Sequence, residues 1–153
     1  QAADRGFAVV ALSHSRRAAR SRLFCLCTGH RVMPGLNLIV LSDDAERLRG
    51  ALVLALTQMA LGAQVRLFLQ LDAVRLLAPP LSAPRDADHA AHGLPGLAAL
   101  IEEALDAGVS VIACQSGLAL AGLDVSVLDP RITVGGPLSF MQALGADGQL
   151  VTI

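Results

Sequence analysis

The stretch LNLIVL at residues 36–41 decides the fold, together with the residues that come after it along the chain. A short continuous apolar run of this kind is typical of a central strand in a parallel sheet, because such a strand is buried on both faces. Asp43, with Glu46 three residues later, predicts a helix N-cap and its capping-box partner. We expect that helix to run to about Leu61 and Val65–Leu69 to form the next strand. The pattern indicates a right-handed parallel strand–helix–strand unit.

The same alternation of strands and helices continues outward from this unit to the end of the chain. It predicts an α/β fold: an open, mostly parallel five-stranded sheet with helices on both faces, a flavodoxin-like three-layer arrangement. After the second strand we expect a short helix at 72–77, an irregular insertion at 78–96, a helix at 97–107, a strand ending at 114, a short helical turn at 118–123, a strand at 132–134, a helix at 138–144 and an edge strand at 150–153.

Residues 1–32 differ in composition from the rest of the chain. They hold six arginines and one acid, whereas residues 33–153 hold six arginines and twelve acids. Met33-Pro34-Gly35 directly precedes the first convincing strand. The sequence therefore predicts a single domain at 33–153, preceded by a disordered extension or an upstream artefact at 1–32. An Arg/Ser-rich transit peptide is the alternative interpretation of that segment.

Composition excludes several classes of function. The acidic folded part does not suit nucleic acid, and no apolar stretch is long enough for a bilayer. Lysine is absent, which excludes Schiff-base chemistry, and no Gly-x-Gly-x-x-Gly fingerprint follows the first strand, so no cofactor is expected. The three cysteines, Cys25, Cys27 and Cys114, have neither zinc-site nor Cys-x-x-Cys spacing. Unpaired thiols are typical of a reducing compartment.

Cys114 is the candidate reactive residue, because it ends the strand VSVIAC at residues 109–114. In open α/β sheets, ligands bind beyond the carboxyl ends of the strands. The residues that follow the strands there are candidates for binding a substrate or an anion: Gln115, Ser116, Gly117, Ser42, Asp43, Gly135 and Gly136. A free cysteine acting only as a small core hydrophobe is the competing interpretation of Cys114.

His89 and His92 lie in the 78–96 insertion with Asp86 and Asp88. Their i, i+3 spacing would suit a weak metal site on a helix, but such polar residues more often form a solvated surface. We therefore predict no metal site in this protein.

The sequence resembles the DsrE/DsrF-like family over residues 35–153. The resemblance rests on the opening unit at 36–77, on VIAC at 111–114, on LAG at 120–122 and on ITVGGPLSF at 132–140. It implies a small cytoplasmic α/β domain that forms homotrimers or hexamers. It also implies that Cys114 accepts sulfane sulfur as a persulfide from a donor protein and passes it to an acceptor thiol, as a sulfur carrier or sulfurtransferase.

Two departures from the family bear on this interpretation. Gln115-Ser116-Gly117-Leu118 replaces the methionine-containing turn of some members, and the folded part has no second cysteine for an internal sulfur relay. A non-catalytic oligomeric module that binds a small ligand or anion is the alternative function. Thiol peroxidase chemistry is a third, and a lone cysteine would need an external thiol to resolve it.

Overall fold

Residues 33–145 and 148–153 are described by the computed structural model, and Met33–Ile153 forms one unit. The predictions for residues 1–32, including Cys25 and Cys27, lie outside the described residues. No helix within the described ranges is long and apolar enough to cross a membrane.

Within these residues, five strands form one open sheet. They are β1 (Leu36–Val40), β2 (Val65–Leu69), β3 (Ser110–Cys114), β4 (Thr133–Gly135) and β5 (Gln149–Thr152). Their order is β4-β3-β2-β1-β5, and every neighbouring pair is parallel. The predicted open parallel sheet is confirmed, with the last strand at an edge as expected. The three central strands are the apolar runs, because burial on both faces favours apolar side chains.

In the same part of the chain, five α-helices connect the strands: α1 (Ala45–Ala60), α2 (Asp86–Ala91), α3 (Leu97–Asp106), α4 (Gln115–Ala121) and α5 (Pro137–Gln142). Two 3₁₀ helices accompany them, at Leu71–Leu77 and Val125–Val127. Crossovers from β1 through β2 to β3 run in one direction, and their right-handedness puts α1 and α3 on one face, where they pack together. The connection from β4 to β5 crosses the sheet in the opposite direction, so its helix, α5, lies on the other face.

The prediction that Asp43 caps the first helix was wrong by one residue. Asp44 is the N-cap, and its Oδ1 accepts from the backbone N–H of Glu46 at 2.9 Å and of Arg47 at 3.3 Å. An N-cap must hold an extended backbone just before the first helical residue, and that residue is Ala45. Asp43 is exposed and lies one position before the cap.

The 78–96 insertion was predicted to be irregular, but it contains the helix α2. Asp86, the first residue of α2, accepts from the backbone N–H groups of Ala83 and Leu97 and from the guanidinium of Arg49, which lies buried on α1. The N–H of Ala83 and the Arg49 guanidinium hold the pKa of Asp86 at about 2. One carboxylate thereby fixes both ends of the insertion to the helical layer, a long-range arrangement that local sequence signals do not contain.

Candidate functional site: a buried thiol at the end of β3

Cys114 is the last residue of β3 and the N-cap residue of α4. Its side chain is a free thiol, and the residue is 1% exposed. Alternation along β3 places it on the same face of the sheet as Ile112, which pairs with Phe68 of β2. The thiol therefore lies at the carboxyl edge of the sheet, as predicted, but beneath the surface.

The residues after Cys114 form the first turn of α4, where the sequence had predicted a loop with a helical turn only from residue 118. Gln115 and Ser116 are exposed, whereas Gly117 and Leu118 are buried. The burial of Leu118 explains the early start, because it draws the helix against the core as soon as the strand ends. Gln115 and Ser116 thus lie beside the thiol in sequence, with their side chains at the surface.

Gly117 is in close contact with the backbone of Leu71, at the start of the first 3₁₀ helix. A Cβ at residue 117 would lie 2.4 Å from the carbonyl oxygen of Leu71. Leu71 itself has a φ of 48°, a left-handed conformation that leucine rarely adopts. Sequence reasoning missed Leu71 altogether. The glycine inside a helical pattern at 117 was the one available signal, since such a glycine often marks a close backbone approach.

Gly135 and Gly136 are brought to the thiol by β4. Gly135 pairs with Cys114, and a Cβ on Gly135 would meet Ile112 Cγ2 at 3.2 Å and Ser139 Oγ at 3.3 Å. Gly136 is the N-cap of α5; its N–H donates to Ser139 Oγ, and the Ser139 hydroxyl donates to the Gly136 carbonyl. Gly135 lets α5 begin close to the sheet, directly beside the strand that carries the cysteine.

A single aromatic side chain anchors α5 to the sheet. Phe140 is the buried residue of this helix, and its ring stacks on Phe68 with centroids 5.0 Å apart. The guanidinium of Arg66 also packs on the Phe140 ring, with its carbon 4.7 Å from the ring centroid. Its Nη1 donates a hydrogen bond to the Phe140 carbonyl at 3.2 Å. The helix α5, which begins beside the strand that carries the thiol, is therefore short and has Phe140 as its one buried side chain.

Ser42 and Asp43 lie farther from Cys114 than the other candidates. They follow β1, and β2 separates β1 from β3, a spacing of about 10 Å between the two strands. Within the described part of the chain, Ser42 Oγ is buried and has no hydrogen-bond partner. A role for these two residues in the thiol site stays a prediction.

The two histidines of the insertion have different partners. His89 Nε2 lies 3.3 Å from Glu46 Oε2, and His92 Nδ1 lies 2.8 Å from the carbonyl oxygen of Asp88. Among residues 33–145 and 148–153, no group of three or more His, Cys, Asp or Glu side chains is arranged to hold a metal ion. His89 instead belongs to the contacts that join α2 to α1.

Together, these features define a class: an open parallel α/β domain with one thiol at the carboxyl end of an inner strand, flanked by a glycine-rich strand end. A model of the DsrE/DsrF-like family matches residues 37–153, so the chain belongs to the DsrE/DsrF-like family. No curated protein matches the chain significantly. The family resemblance found in the sequence is confirmed.

Proposed function

We propose that this protein carries sulfane sulfur as a persulfide on Cys114. The observation that carries the proposal is the position of Cys114, which ends an inner strand at the ligand-binding edge of the sheet in a DsrE/DsrF-like chain. The cytoplasm suits this function, because its reducing conditions keep an unpaired thiol free.

The proposed reaction transfers one sulfur atom without net oxidation. The Cys114 thiolate attacks the outer sulfur of a donor persulfide, the donor S–S bond breaks, and the donor leaves as a thiolate. An acceptor thiolate then attacks the outer sulfur of the Cys114 persulfide, and Cys114 is released as a thiolate. Both steps are exchanges of the thiol–disulfide type. They need an attacking thiolate and access to the outer sulfur of the persulfide, and they need no cofactor.

The burial of Cys114 requires a movement before either exchange. We assign this movement to α5, which begins next to Gly135 and is anchored through Phe140 alone among its side chains. Elements with few buried contacts open at low free-energy cost relative to global unfolding. Displacement of the first turn of α5 would expose the thiol while the central strands remain paired.

We further propose that the protein forms a homo-oligomer through the face that carries α5. Leu138 is 72% exposed, and Met141 and Leu150 are also exposed large apolar side chains. Leu150 pairs with Asn37 across β5 and β1, and alternation places both on the face of Phe68. Exposed apolar side chains on one face favour association, so a trimer or hexamer would cover them.

Intact-mass spectrometry after incubation with inorganic polysulfide tests the sulfur-carrier proposal. The informative variant is Cys25→Ser/Cys27→Ser, which retains Cys114 as its one thiol; Cys25→Ser/Cys27→Ser/Cys114→Ser is the matched control. We expect an adduct of about 32 Da on the first variant and none on the second. An unmodified Cys25→Ser/Cys27→Ser protein whose thiol still reacts after denaturation would refute the proposal.

The burial of Cys114 favours a second candidate, a non-catalytic oligomeric module that binds a small ligand or anion. This candidate treats the cysteine as a core side chain, as expected for a small hydrophobe at 1% exposure. It predicts that inorganic phosphate or a nucleotide raises the melting temperature equally in the wild type and in Cys114→Ser. Stabilisation that disappears in Cys114→Ser would contradict it.

A further inference from the structure

A pocket of about 290 Å³ lies apart from the thiol, beside the amino end of β4. Its volume is at the lower end of the range for small-molecule sites, roughly 300–1,000 Å³. Eight of its ten lining residues are apolar, and the other two are carboxylates at the rim. The two carboxylates are Glu102 and Asp129, and the apolar side chains include Leu77, Ile101, Val127 and Ile132. We call this the acid-rimmed pocket.

The rim of the acid-rimmed pocket carries an excess of negative charge. Arg131 bonds three carboxylates at once: Glu102 at 2.8 Å, Asp106 at 2.6 Å and Asp129 at 2.7 Å. One guanidinium against three carboxylates leaves two negative charges without a cation in this cluster. Side-chain and backbone N–H groups of Arg131 hold the pKa of Asp129 at about 2, so this carboxylate stays ionised at any physiological pH.

The same arginine also fixes the geometry of the rim. Arg131 Nε and Nη2 both donate to Asp129, and Nη2 reaches both oxygens of Glu102. Each carboxylate can accept about four hydrogen bonds, so acceptor positions remain on Glu102. Since the acceptors are already held in place, a ligand would not have to order them on binding.

We infer that the acid-rimmed pocket binds a small organic cation with an apolar body, such as a primary amine on a short alkyl chain. The buried side chains of Leu77, Ile101 and Ile132 would take the apolar body. The ammonium group would lie at the rim against Glu102 and Asp129, whose excess charge repels an anion of the same shape. This site is separate from Cys114, which lies at the carboxyl ends of the strands, whereas Ile132 precedes the amino end of β4.

Titration of the full chain with three probes of one shape tests this inference: hexylammonium, hexanol and hexanoate, followed by protein-observed NMR at low salt. We expect hexylammonium to bind with a dissociation constant of about 1 mM, as suits a ligand of this size. Hexanol should bind at least about threefold more weakly, the scale of one exposed ionic contact, and hexanoate more weakly still.

Three variants locate the site. Glu102→Gln should weaken hexylammonium about threefold and leave hexanol unchanged, while Glu103→Gln, a neighbouring exposed acid outside the lining, should change neither. Val127 lies on the exposed lip, so Val127→Trp should block all binding without disturbing the core. Equal affinity for hexylammonium and hexanol would refute the charge selection. Binding that is unaffected by Val127→Trp, or no binding of any probe, would refute the site.

Discussion

Substituting Gly117 by alanine should destabilise the protein, although alanine is the better helix former. The new Cβ would lie 2.4 Å from the carbonyl oxygen of Leu71 and 3.0 Å from its carbonyl carbon and Cα, whereas ordinary contacts lie at 3.4–4 Å. The backbone of Leu71 must therefore retreat by about 1 Å. The atoms in the way are main chain, so no rotamer change relieves the overlap.

The size of the effect results from two opposing contributions. Helix propensity favours alanine over glycine by up to about 1 kcal/mol. Overpacking that shifts a backbone costs about 1–3 kcal/mol, and a contact this short lies at or beyond the upper end. Leu71 already has a φ of 48°, so its backbone has little freedom to adjust. We expect a net loss of about 2 kcal/mol in the free energy of unfolding, or about 8 °C in Tm.

Gly50→Ala is the matched control for this prediction. Gly50 also lies inside a helix, α1, but a Cβ there would meet nothing within 4 Å. The substitution should raise the free energy of unfolding by about 0.5–1 kcal/mol, because it restricts the unfolded chain and suits the helix. Urea unfolding followed by circular dichroism measures both variants against the wild type. Equal stabilisation by Gly117→Ala and Gly50→Ala would show that the contact with Leu71 is not a constraint.

The remaining predictions concern the two charged contacts that hold α2 and α5. Asp86→Asn should lower Tm at pH 6 by several degrees more than Asp88→Asn, since Asp88 is exposed and pairs only at 3.8 Å. The folded pKa of Asp86, about 2, lies below the ordinary 3.8, so its contribution is complete above pH 3.8 and is lost as the pH falls towards 2. Thermal melts from pH 6 to 2 should show the difference in Tm between Asp86→Asn and Asp88→Asn shrinking. A difference independent of pH would contradict the stabilising role given to the Asp86 carboxylate. Arg66→Met should cost about 1 kcal/mol, because it removes a hydrogen bond and a cation–π contact to Phe140, whereas the exposed Arg75→Met should stay within about 0.5 kcal/mol in urea unfolding.

Much of the architecture could be predicted from local signals. The apolar runs that became β1, β2 and β3 were identified because inner parallel strands bury both faces, and the periodic helix at 97–107 was found with its end one residue too late. The errors fell where local signals compete. Asp43 and Asp44 are adjacent and either side chain can cap a helix, while α2 lies in a proline-rich insertion and is held by a bond from Asp86 to Arg49, which is far away in sequence.

The candidate site was predicted in part. The sequence placed Cys114 at the end of a strand, and the structure adds that Gly135 and Gly136 lie beside it. It could not show that the thiol is 1% exposed, because burial depends on how elements distant in sequence pack around the end of β3. The order of strands likewise could not be read from their sequences, and it is this order that separates Ser42 and Asp43 from the thiol by one strand.

By itself, the sequence determined the class of fold, the family and the identity of the one thiol in the folded domain, because apolar periodicity, strand-end motifs and residue types are local properties. Only the tertiary structure decided which strands are neighbours, that Gly135 pairs with Cys114, and that Arg131 gathers three acids at the rim of an apolar pocket. These features join residues distant in sequence, and their positions are set by strand order and packing, which no local pattern encodes.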